Sequence, residues 1–487
     1  MTRCKTLLLA VQCLVLSIAT VPVCLSAETE LKRSVQESHM NELYFPPSFL
    51  FGFATSEHQN SGGTSSNWVS WENSTWPDGK PHIDRGEVSG EACDHWNRYA
   101  EDITAMKEDF GVNTFRFSLA WDRIEPEEGV FSAEALQHYH DEIDALLKAG
   151  ITPMVTLHHF VHPQWFEDKG AFEHEENILN FVKFSIKVFE EFGHKVRLWC
   201  TINEPTIYMF SGYLPFHCNF PPGKGSLTSW PLAAKVLRNM CQAHTEVYRA
   251  LKGMKHGDTA QIGLVHQYLK FEGYTGYNPL ESMPGFLLNE IMNTAVLTFL
   301  KTGTFSYRTH LWYWETYTAP TGPIGDFIGL NYYSRALIEL KWTQLELTGS
   351  ALPGEEMTDM PYAIYAQGLY DAIVEVSQLE LPIYITENGI ADKETVNDVR
   401  RVRWFREYLK ATSLALEDGY DVRGFFCWTL QDNFEWNCGY SMKFGLYHVD
   451  YTTQKRTLKA GSYIYADAVK AALAGKLATH TRDYRGI

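Results

Sequence analysis

Two glutamates occupy comparable places in the sequence, each at the end of a short apolar run. Glu204 follows VRLWCTIN (196–203), Glu387 ends PIYITE (382–387), and a chain-turning Pro or Asn-Gly comes directly after each. Two carboxylates that face each other across an aromatic pocket are the apparatus of glycoside hydrolysis. A lone Glu at a strand end is explained equally well by an ion pair with Lys or Arg. Two such positions, with Arg116 available to one of them, favour a catalytic pair.

Other apolar runs also end in polar or aromatic side chains. In chain order these are Gln59, Arg116, His158, His159, Asn203, Asn331, Tyr333, Asn388 and Trp428. Apolar runs that end in amides, imidazoles and carboxylates are costly to fold unless these groups bond one another or a polyol ligand. The sequence therefore predicts one polar site where the ends of several strands meet.

The elements that position these residues follow a repeated pattern. Runs rich in β-branched and aromatic residues span 49–56, 113–121, 152–159, 196–203, 261–268, 326–333, 382–389 and 422–430. Between them lie segments with helical periodicity, such as 95–111 and 133–150, each closed by a glycine. Strand then helix, repeated without a Pro-, Gly- or Ser-rich linker, predicts a single α/β domain, a closed (β/α)8 TIM barrel, although the length would allow three domains. Active sites of this fold lie at the C-terminal ends of the strands.

The composition narrows the class of ligand. The chain has 59 Asp+Glu against 42 Lys+Arg, a formal net charge of −17, and 14% aromatic residues. Such a negative charge provides no basic surface for phosphates, which argues against nucleic acid and anionic membranes as partners. The aromatic residues exceed what a core needs, so we expect a small neutral ligand that meets flat apolar faces.

The N-terminus has the pattern of a secretory signal peptide. Arg3 and Lys5 precede an apolar run over 7–23 and a pair of small residues. A retained signal anchor is the alternative, but Gln12 and Pro22 interrupt the run and it is short for a membrane span. We therefore expect secretion, or delivery to another extracytoplasmic compartment, with no stable membrane insertion. The predicted division is a signal peptide (1–27), an N-terminal extension (28–45), the barrel (46–475) and a C-terminal tail (476–487).

The cysteines and histidines indicate neither a disulfide scaffold nor a metal site. Of nine cysteines, three lie in the first 27 residues, and six are too few for a scaffold in a chain of this length. No C-x-x-C or H-E-x-x-H spacing occurs, so no structural zinc is predicted. His158 and His162 are interpreted as structural, because no third ligand stands at metal spacing.

Seven parts of the sequence form a recognisable set of motifs: TINEP (201–205), ITENGI (385–390), FGFATSEHQ (51–59), RFSLAW (116–121), TLHHF (156–160), DFIGLNYYS (326–334) and WTLQDNFEWNCGY with FGLYHVD (428–450). These segments resemble those of glycoside hydrolase family 1, the family of β-glucosidases and β-galactosidases. The resemblance extends over about residues 46–473, in the order of the family. It implies a retaining β-glycosidase that hydrolyses terminal β-D-glucosyl residues of small-molecule β-glycosides, with no metal and no organic cofactor.

The resemblance also implies roles for single residues. Glu204 would be the general acid/base and Glu387 the nucleophile, while Arg116 and the hydroxyl of Tyr333 would hold Glu387 ionised. Physical reasoning supports this division, since two carboxyl groups about 5–5.5 Å apart repel and one of them must keep its proton. The other implied positions are Gln59, His159, Asn203, Tyr333, Trp428, Glu435 and Trp436 at the sugar, and Asn331 beside the nucleophile.

Related activities remain as alternatives. Thioglucosidases lack the acid/base carboxylate, and phospho-β-glycosidases replace the sugar-binding Glu435 by Ser and have Tyr where Phe444 stands, so both are disfavoured. A transglycosidase uses the same covalent intermediate and stays open. A catalytically silent sugar-binding barrel is a minor alternative, because both glutamates are present. The sequence departs from the common family pattern at Phe160, Ser61, Lys443 and Thr206, which bear on specificity, and it does not indicate an oligomeric state.

Overall fold

The computed structural model describes most of the chain after residue 42. The described residues are 43–215, 219–226, 228–310, 313–341, 344–347, 349, 351–395 and 398–474. The predicted signal peptide and C-terminal tail lie outside them, as does most of the predicted N-terminal extension. Leu43 and Phe45, at the start of the described chain, are buried in the main apolar core.

Eight parallel strands close into a barrel, which confirms the predicted (β/α)8 architecture. They are β1 Leu50–Ala54, β2 Thr114–Ser118, β3 Thr152–His158, β4 Leu198–Asn203, β5 Gln261–Gln267, β6 Phe327–Asn331, β7 Ile383–Asn388 and β8 Val422–Cys427. Each strand pairs with its neighbour in this order, and β8 closes the barrel against β1. Each of the eight predicted apolar runs contains one of these strands, so all eight strand assignments are confirmed.

Helices surround the barrel. They are α1 Glu57–Ser61, α2 Asn67–Glu72, α3 His95–Ala105, α4 Trp121–Ile124, α5 Ala133–Lys148, α6 Gln164–Asp168, α7 Ile178–Phe192, α8 Pro205–Tyr213, α9 Trp230–Lys252, α10 Pro279–Asn289, α11 Ala295–Thr302, α12 Ala366–Ser377, α13 Val399–Glu417 and α14 Tyr463–Leu473. A π-helical turn, Met106–Phe110, continues α3. Gly111 and Gly150, which close the two helical segments named from the sequence, have φ of 70° and 71°, a region that glycine adopts without strain.

Two apolar clusters explain why the strand sequences are nearly continuous in hydrophobic residues. The cluster inside the barrel includes Met154, Val265, Phe327 and Phe426. The larger cluster lies between strands and helices and takes other residues of the same strands, such as Phe425. Because both faces of each strand are buried, the alternation of polar and apolar residues typical of half-exposed strands is lost.

Further strands lie outside the barrel. Lys270–Gly273, Arg335–Lys341 and Gln344–Leu347 form a three-stranded sheet beyond the ends of β5 and β6. Thr304–His310 pairs with Tyr313–Thr318, and Tyr447–Asp450 pairs with Lys455–Leu458. Among the described residues, we find no helix with both the length and the apolar character that crossing a bilayer requires.

Candidate active site

The end of β7 contains a bulge that orients Glu387. Pairing with β6 passes from Ile385 opposite Leu330 to Glu387 opposite Asn331, so β7 has one extra residue there. Tyr384 belongs to the cluster inside the barrel and Ile385 to the outer cluster. Strict alternation would therefore turn Glu387 outward toward the helices. The extra residue restores an inward direction, so Glu387 lies at the barrel mouth.

A second irregularity precedes Glu204. Pairing of β4 with β5 passes from Cys200 opposite Gly263 to Asn203 opposite Val265, again with one extra residue on the strand that carries the glutamate. Glu204 has φ 45° and ψ 62°, the left-handed region that residues with a side chain rarely adopt. Its backbone N–H donates to the carbonyl of Val265 at 2.9 Å. Such strain persists only where surrounding contacts hold it, and it accumulates at functional sites.

Glu387 is held by a cation and a hydroxyl. Arg116, which is fully buried, donates from Nη1 to Glu387 Oε1 at 2.6 Å. The hydroxyl of Tyr333 donates to Glu387 Oε2 at 2.9 Å. Burial raises the pKa of Glu387, while Arg116 and the Tyr333 hydroxyl oppose that rise by stabilising the carboxylate. Each oxygen of Glu387 therefore has a donor that favours the charged form.

Glu204 is held by amides instead. Asn331 Nδ2 donates to Glu204 Oε1 at 2.6 Å. The side-chain amide of Gln267 also lies against this carboxyl group, and its oxygen and nitrogen are assigned so that the nitrogen faces Glu204, which satisfies both atoms. In that orientation it donates to Oε2 and Oε1 of Glu204 at 3.1 and 3.2 Å. Burial, together with the charge of Glu387, raises the pKa of Glu204 well above its usual range. Of the two glutamates, Glu204 therefore has the surroundings that favour the protonated form more strongly.

Asn203 and Asn331 connect the two glutamates. Arg116 donates from Nη2 to Asn203 Oδ1 at 2.6 Å, and Asn331 Nδ2 reaches the same oxygen at 3.2 Å. Asn331 is itself oriented by the hydroxyl of Thr386, which lies in β7 and donates to Asn331 Oδ1 at 2.7 Å. One hydrogen-bonded chain thus runs from Glu387 to Glu204 through three residues named from the sequence. These are Arg116, Asn203 and Asn331.

A third carboxyl group, Glu435, lies in the same pocket with Gln59. Gln59 Nε2 donates to Glu435 Oε2 at 2.9 Å, and the Trp428 indole also bonds this carboxyl group. Gln59 Oε1 is buried without a hydrogen-bond partner among the described residues. Burial, then the charge of Glu387, raises the pKa of Glu435 to about 8. A buried acceptor beside a carboxyl group is suited to a ligand hydroxyl, which can donate to one and accept from the other.

His159 and Trp436 form another wall of the pocket. Asn203 Nδ2 lies 3.1 Å from His159 Nε2, while His159 Nδ1 is buried without a partner in the described chain. Burial, reinforced by the charge of Arg116, lowers the pKa of His159 well below its usual value, so the ring is neutral. Trp436 packs 6.0 Å from the His159 ring and 5.4 Å from Phe160. A flat apolar face and a free imidazole nitrogen therefore lie side by side.

The structure thus brings every sequence-predicted site residue to one end of the barrel. His158 and His162, interpreted as structural, bond each other at 3.2 Å, and His162 pairs with Glu167 at 2.7 Å. The described residues contain no group of three or more His, Cys, Asp or Glu side chains arranged to hold a metal ion.

The sequence reasoning missed Gln267 and two threonines. Gln267 ends β5, the only barrel strand for which the sequence analysis named no site residue, although a polar residue at a strand's C-terminal end is itself a signal. Thr156 accepts from Arg116 Nε at 3.1 Å, and Thr386 orients Asn331. Threonine is common within strands, so its type gave no indication of these roles.

Known proteins resemble this chain over almost the whole described fold. The sequence model of glycosyl hydrolase family 1 matches residues 41–473. A relative, beta-glucosidase A of Thermotoga maritima, is 32% identical over 464 residues, covering 88% of this chain and 99% of the relative. The range matched by the family model includes all eight barrel strands and both glutamates.

Solved structures of glycosidases also resemble this chain over most of its length. A beta-glycosidase from Pyrococcus horikoshii has a TM-score of 0.76 at 34% identity, covering 88% of this chain and 96% of that chain. A beta-glucosidase from Thermotoga maritima, solved in complex with deoxynojirimycin, has a TM-score of 0.77 at 29% identity, with coverage of 88% and 99%. The barrel and its surrounding segments therefore correspond to those of known glycosidases.

Proposed function

The chain belongs to glycosyl hydrolase family 1, and from this membership we propose that it is a retaining β-glucosidase that releases terminal β-D-glucosyl residues from small-molecule β-glycosides. The observation that carries the proposal is the unequal support of the two glutamates. Arg116 and Tyr333 bond Glu387, whereas amides bond Glu204. A retaining mechanism needs this inequality, because one carboxylate must attack while the other carries a proton.

In the first step, Glu387 is the nucleophile. Its carboxylate oxygen attacks the anomeric carbon, the bond from that carbon to the glycosidic oxygen breaks, and Glu204 gives its proton to the departing oxygen. The product is a glycosyl ester on Glu387 and a free alcohol. Formation of the ester removes the negative charge of Glu387, which is the second cause of the raised pKa of Glu204. The pKa of Glu204 therefore falls after its proton has been used, so Glu204 stays ionised and is available as the base of the second step.

In the second step, water replaces the alcohol. Glu204 takes a proton from the water, the resulting oxygen attacks the anomeric carbon, and the ester bond to Glu387 breaks. The sugar leaves with its original configuration, and Glu204 is protonated again. Arg116 stabilises the carboxylate that reappears on Glu387, because their 2.6 Å contact is a charge-assisted hydrogen bond in a buried place.

Recognition of the sugar would use the remaining polar groups of the pocket. Gln59 and Glu435 form one bonded pair that can contact two neighbouring hydroxyl groups, and their polar atoms can accept a 4-hydroxyl in either configuration. Glucosides are therefore expected first, with galactosides or fucosides close behind. Asn203 has its oxygen occupied by Arg116, which leaves its amide nitrogen beside His159 for the 2-hydroxyl.

The test replaces each glutamate separately. Glu387→Gln is expected to lower hydrolysis of an aryl β-glucoside by at least about 10⁴-fold, because no ester can form. Glu204→Ala is expected to slow turnover less with reactive aryl leaving groups and to be partly rescued by azide, which attacks the glycosyl ester without needing a base. Glu190→Gln, an exposed site on α7, is the matched control.

Two results would contradict the assignment. Equal losses in both variants with no azide rescue would mean that the roles are wrong. Activity of the unaltered enzyme confined to mannosides, in a panel of aryl β-glucosides, galactosides, fucosides and mannosides, would contradict the proposed substrate class.

We also propose that the protein acts outside the cytoplasm, as its N-terminal sequence suggests. The support is the pattern of residues 1–27, where basic residues precede an apolar run and a pair of small residues. Expression of the full chain in a secreting host, followed by N-terminal sequencing of the exported protein, tests this. A mature N-terminus near Glu28 is expected, and retention of residue 1 on an intracellular protein would contradict it.

A further inference from the structure

The carboxyl group of Glu204 contacts two amides that come from neighbouring strands. Asn331 ends β6 and Gln267 ends β5, and the two residues are directly opposite each other in the pairing of these strands. Both side chains reach Glu204, Asn331 at 2.6 Å and Gln267 at 3.1 and 3.2 Å. Because their backbones are paired within a closed barrel, the two amides form a rigid clamp on one carboxyl group.

The clamp matters because Glu204 changes its protonation state twice in each turnover. When it is ionised, both oxygens accept hydrogen bonds, and two amide N–H groups can be satisfied at once. When Glu204 is protonated, one of its oxygens carries a hydrogen and becomes a weaker acceptor, so an amide N–H that points at that oxygen forms a weaker hydrogen bond. Donors of this kind favour the carboxylate and lower its pKa, which opposes the effects of burial and of the neighbouring charge.

We propose that Gln267 is a positioning residue for the acid/base: it holds the Glu204 carboxyl group toward the leaving oxygen and favours its ionised state when a proton must be released. The inference rests on the proposed function and deepens it. Gln267 touches no reacting atom in this role and acts through Glu204 alone. It is distinct from Asn331, which also bonds Asn203 and Thr386 and so serves the Glu387 side of the site as well.

Other charged and titratable groups face Glu204 and set the background against which Gln267 acts. They are Glu387 from β7, Arg116 from β2, Glu435 from the segment after β8, Tyr333 from the segment after β6, and Tyr362. The two carboxyl groups raise the pKa of Glu204 and Arg116 lowers it. A change at Gln267 leaves all of these groups in place, so its effect on the protonation of Glu204 can be measured separately.

The decisive variant is Gln267→Met, which keeps the bulk of the side chain and removes its donor. The alkaline limb of kcat/KM against pH reports the protonation of Glu204, and we expect it to move up by about one pH unit. With a poor leaving group such as a methyl or alkyl β-glucoside, kcat/KM is expected to fall about tenfold, because proton delivery is misdirected. With a dinitrophenyl β-glucoside, which needs no proton, kcat/KM is expected to stay within about twofold.

Gln367→Met is the matched control. Gln367 is half-buried like Gln267, and its amide donates to the Asp371 carboxylate at 3.0 Å on the outside of the barrel in α12. It is expected to leave both the pH profile and the leaving-group dependence unchanged. If Gln267→Met does not fold, Gln267→Asn is the substitute, since it withdraws the donor by one methylene group and should change both measurements in the same direction.

The outcomes separate the two proposals. An unaltered enzyme with no β-glycosidase activity, or without azide rescue of Glu204→Ala, overturns the proposed function. If those tests succeed but a folded Gln267→Met variant keeps its alkaline limb and loses activity equally on all leaving groups, the role of Gln267 is overturned while the proposed function stands. A shifted alkaline limb together with a loss confined to poor leaving groups supports both.

Discussion

The two sides of the barrel mouth hold the same functional group in different ways. On the β2 and β7 side, Glu387 lies against the Arg116 guanidinium and the Tyr333 hydroxyl. On the β4, β5 and β6 side, Glu204 lies against the amides of Asn331 and Gln267, and within the described chain it forms no ion pair. Both glutamates are buried to a similar extent, with 4% exposure each. Burial therefore does not distinguish them, and their neighbours do.

The difference shows how one pocket can give two identical side chains different affinities for a proton. A guanidinium has a full charge that no change of pH in the working range removes, so it holds its partner ionised. An amide only contributes dipoles, which allow its partner to gain and lose a proton at moderate cost. The side that contains Arg116 is suited to a nucleophile that must stay charged. The side that contains the amides is suited to a group that must gain and lose a proton.

The largest expected effect comes from removing the cation. Arg116→Met should lower kcat/KM for an aryl β-glucoside by about 10³-fold, because Glu387 is left buried without its counter-ion. Its pKa should then rise, so the acidic limb of the pH profile moves to higher pH. Arg116→Lys keeps the charge but cannot bond Glu387 and Asn203 together, and it is expected to be intermediate. An acidic limb that does not move in either variant would contradict the proposed division between the two sides.

A smaller effect is expected from the hydroxyl on the same side. Tyr333→Phe removes the donor to Glu387 Oε2 and should lower kcat/KM about tenfold, since hydrogen bonds to charged groups contribute about 1.5–3 kcal/mol and Arg116 remains. The acidic limb should move up and the alkaline limb should stay. Tyr370→Phe, which removes a hydroxyl that donates to Asp418 at 2.6 Å outside the barrel, is the control. Movement of the alkaline limb instead would assign Tyr333 to the Glu204 side.

The last expected effect concerns stability rather than catalysis and involves Glu435, the third carboxyl group of the pocket. The pKa of Glu435 is raised from 4.5 to about 8, so the folded state keeps a proton that the unfolded state loses. The free energy of unfolding of the unaltered protein should therefore fall as pH rises from 4.5 to 8. Glu435→Gln keeps an acceptor for Gln59 and removes this slope, so its stability relative to the unaltered protein should be higher at pH 8 than at pH 5, by about 3–4 kcal/mol.

The measurement for Glu435 is chemical unfolding of both proteins at pH 5 and pH 8. Other groups titrate in the same range, so the informative quantity is the change in the stability difference between the two proteins. If the stability difference between the two proteins is the same at pH 5 and pH 8, Glu435 is ionised at both pH values, and its pKa is not raised by burial.

The barrel strands were predictable because their sequences satisfy a strong physical requirement. A strand buried on both faces must be apolar throughout, so each run was visible without knowledge of its partners. Polar residues at the ends of such runs, such as Asn203 and Asn331, were conspicuous for the same reason. Gln267 was overlooked because β5 ends in two polar residues, His266 and Gln267, with Tyr268 directly after them, and the residue types alone do not show which of the three faces the site.

The alternation of residues along β4 and β7 could not predict whether the side chains of the two glutamates point into the barrel or toward the helices. Applied strictly from Tyr384, the period-two rule turns Glu387 toward the helices. The bulge that reverses this direction exists only as a mismatch between β7 and β6, and it has no fixed sequence signal. The left-handed backbone of Glu204 is likewise unexpected for a residue with a side chain, and neighbouring strands hold it in place.

The amino-acid sequence by itself determined the eight strands, the helices between them and the set of polar residues at the barrel mouth. These features follow from which residue types occur along the chain and at what spacing. Only the tertiary structure decided which of these residues touch. The β7 bulge, the opposition of Gln267 and Asn331, and the contact of Arg116 with Glu387 all depend on strand register. Register is a relation between distant segments, and it determines which carboxyl group receives the cation and which receives the amides.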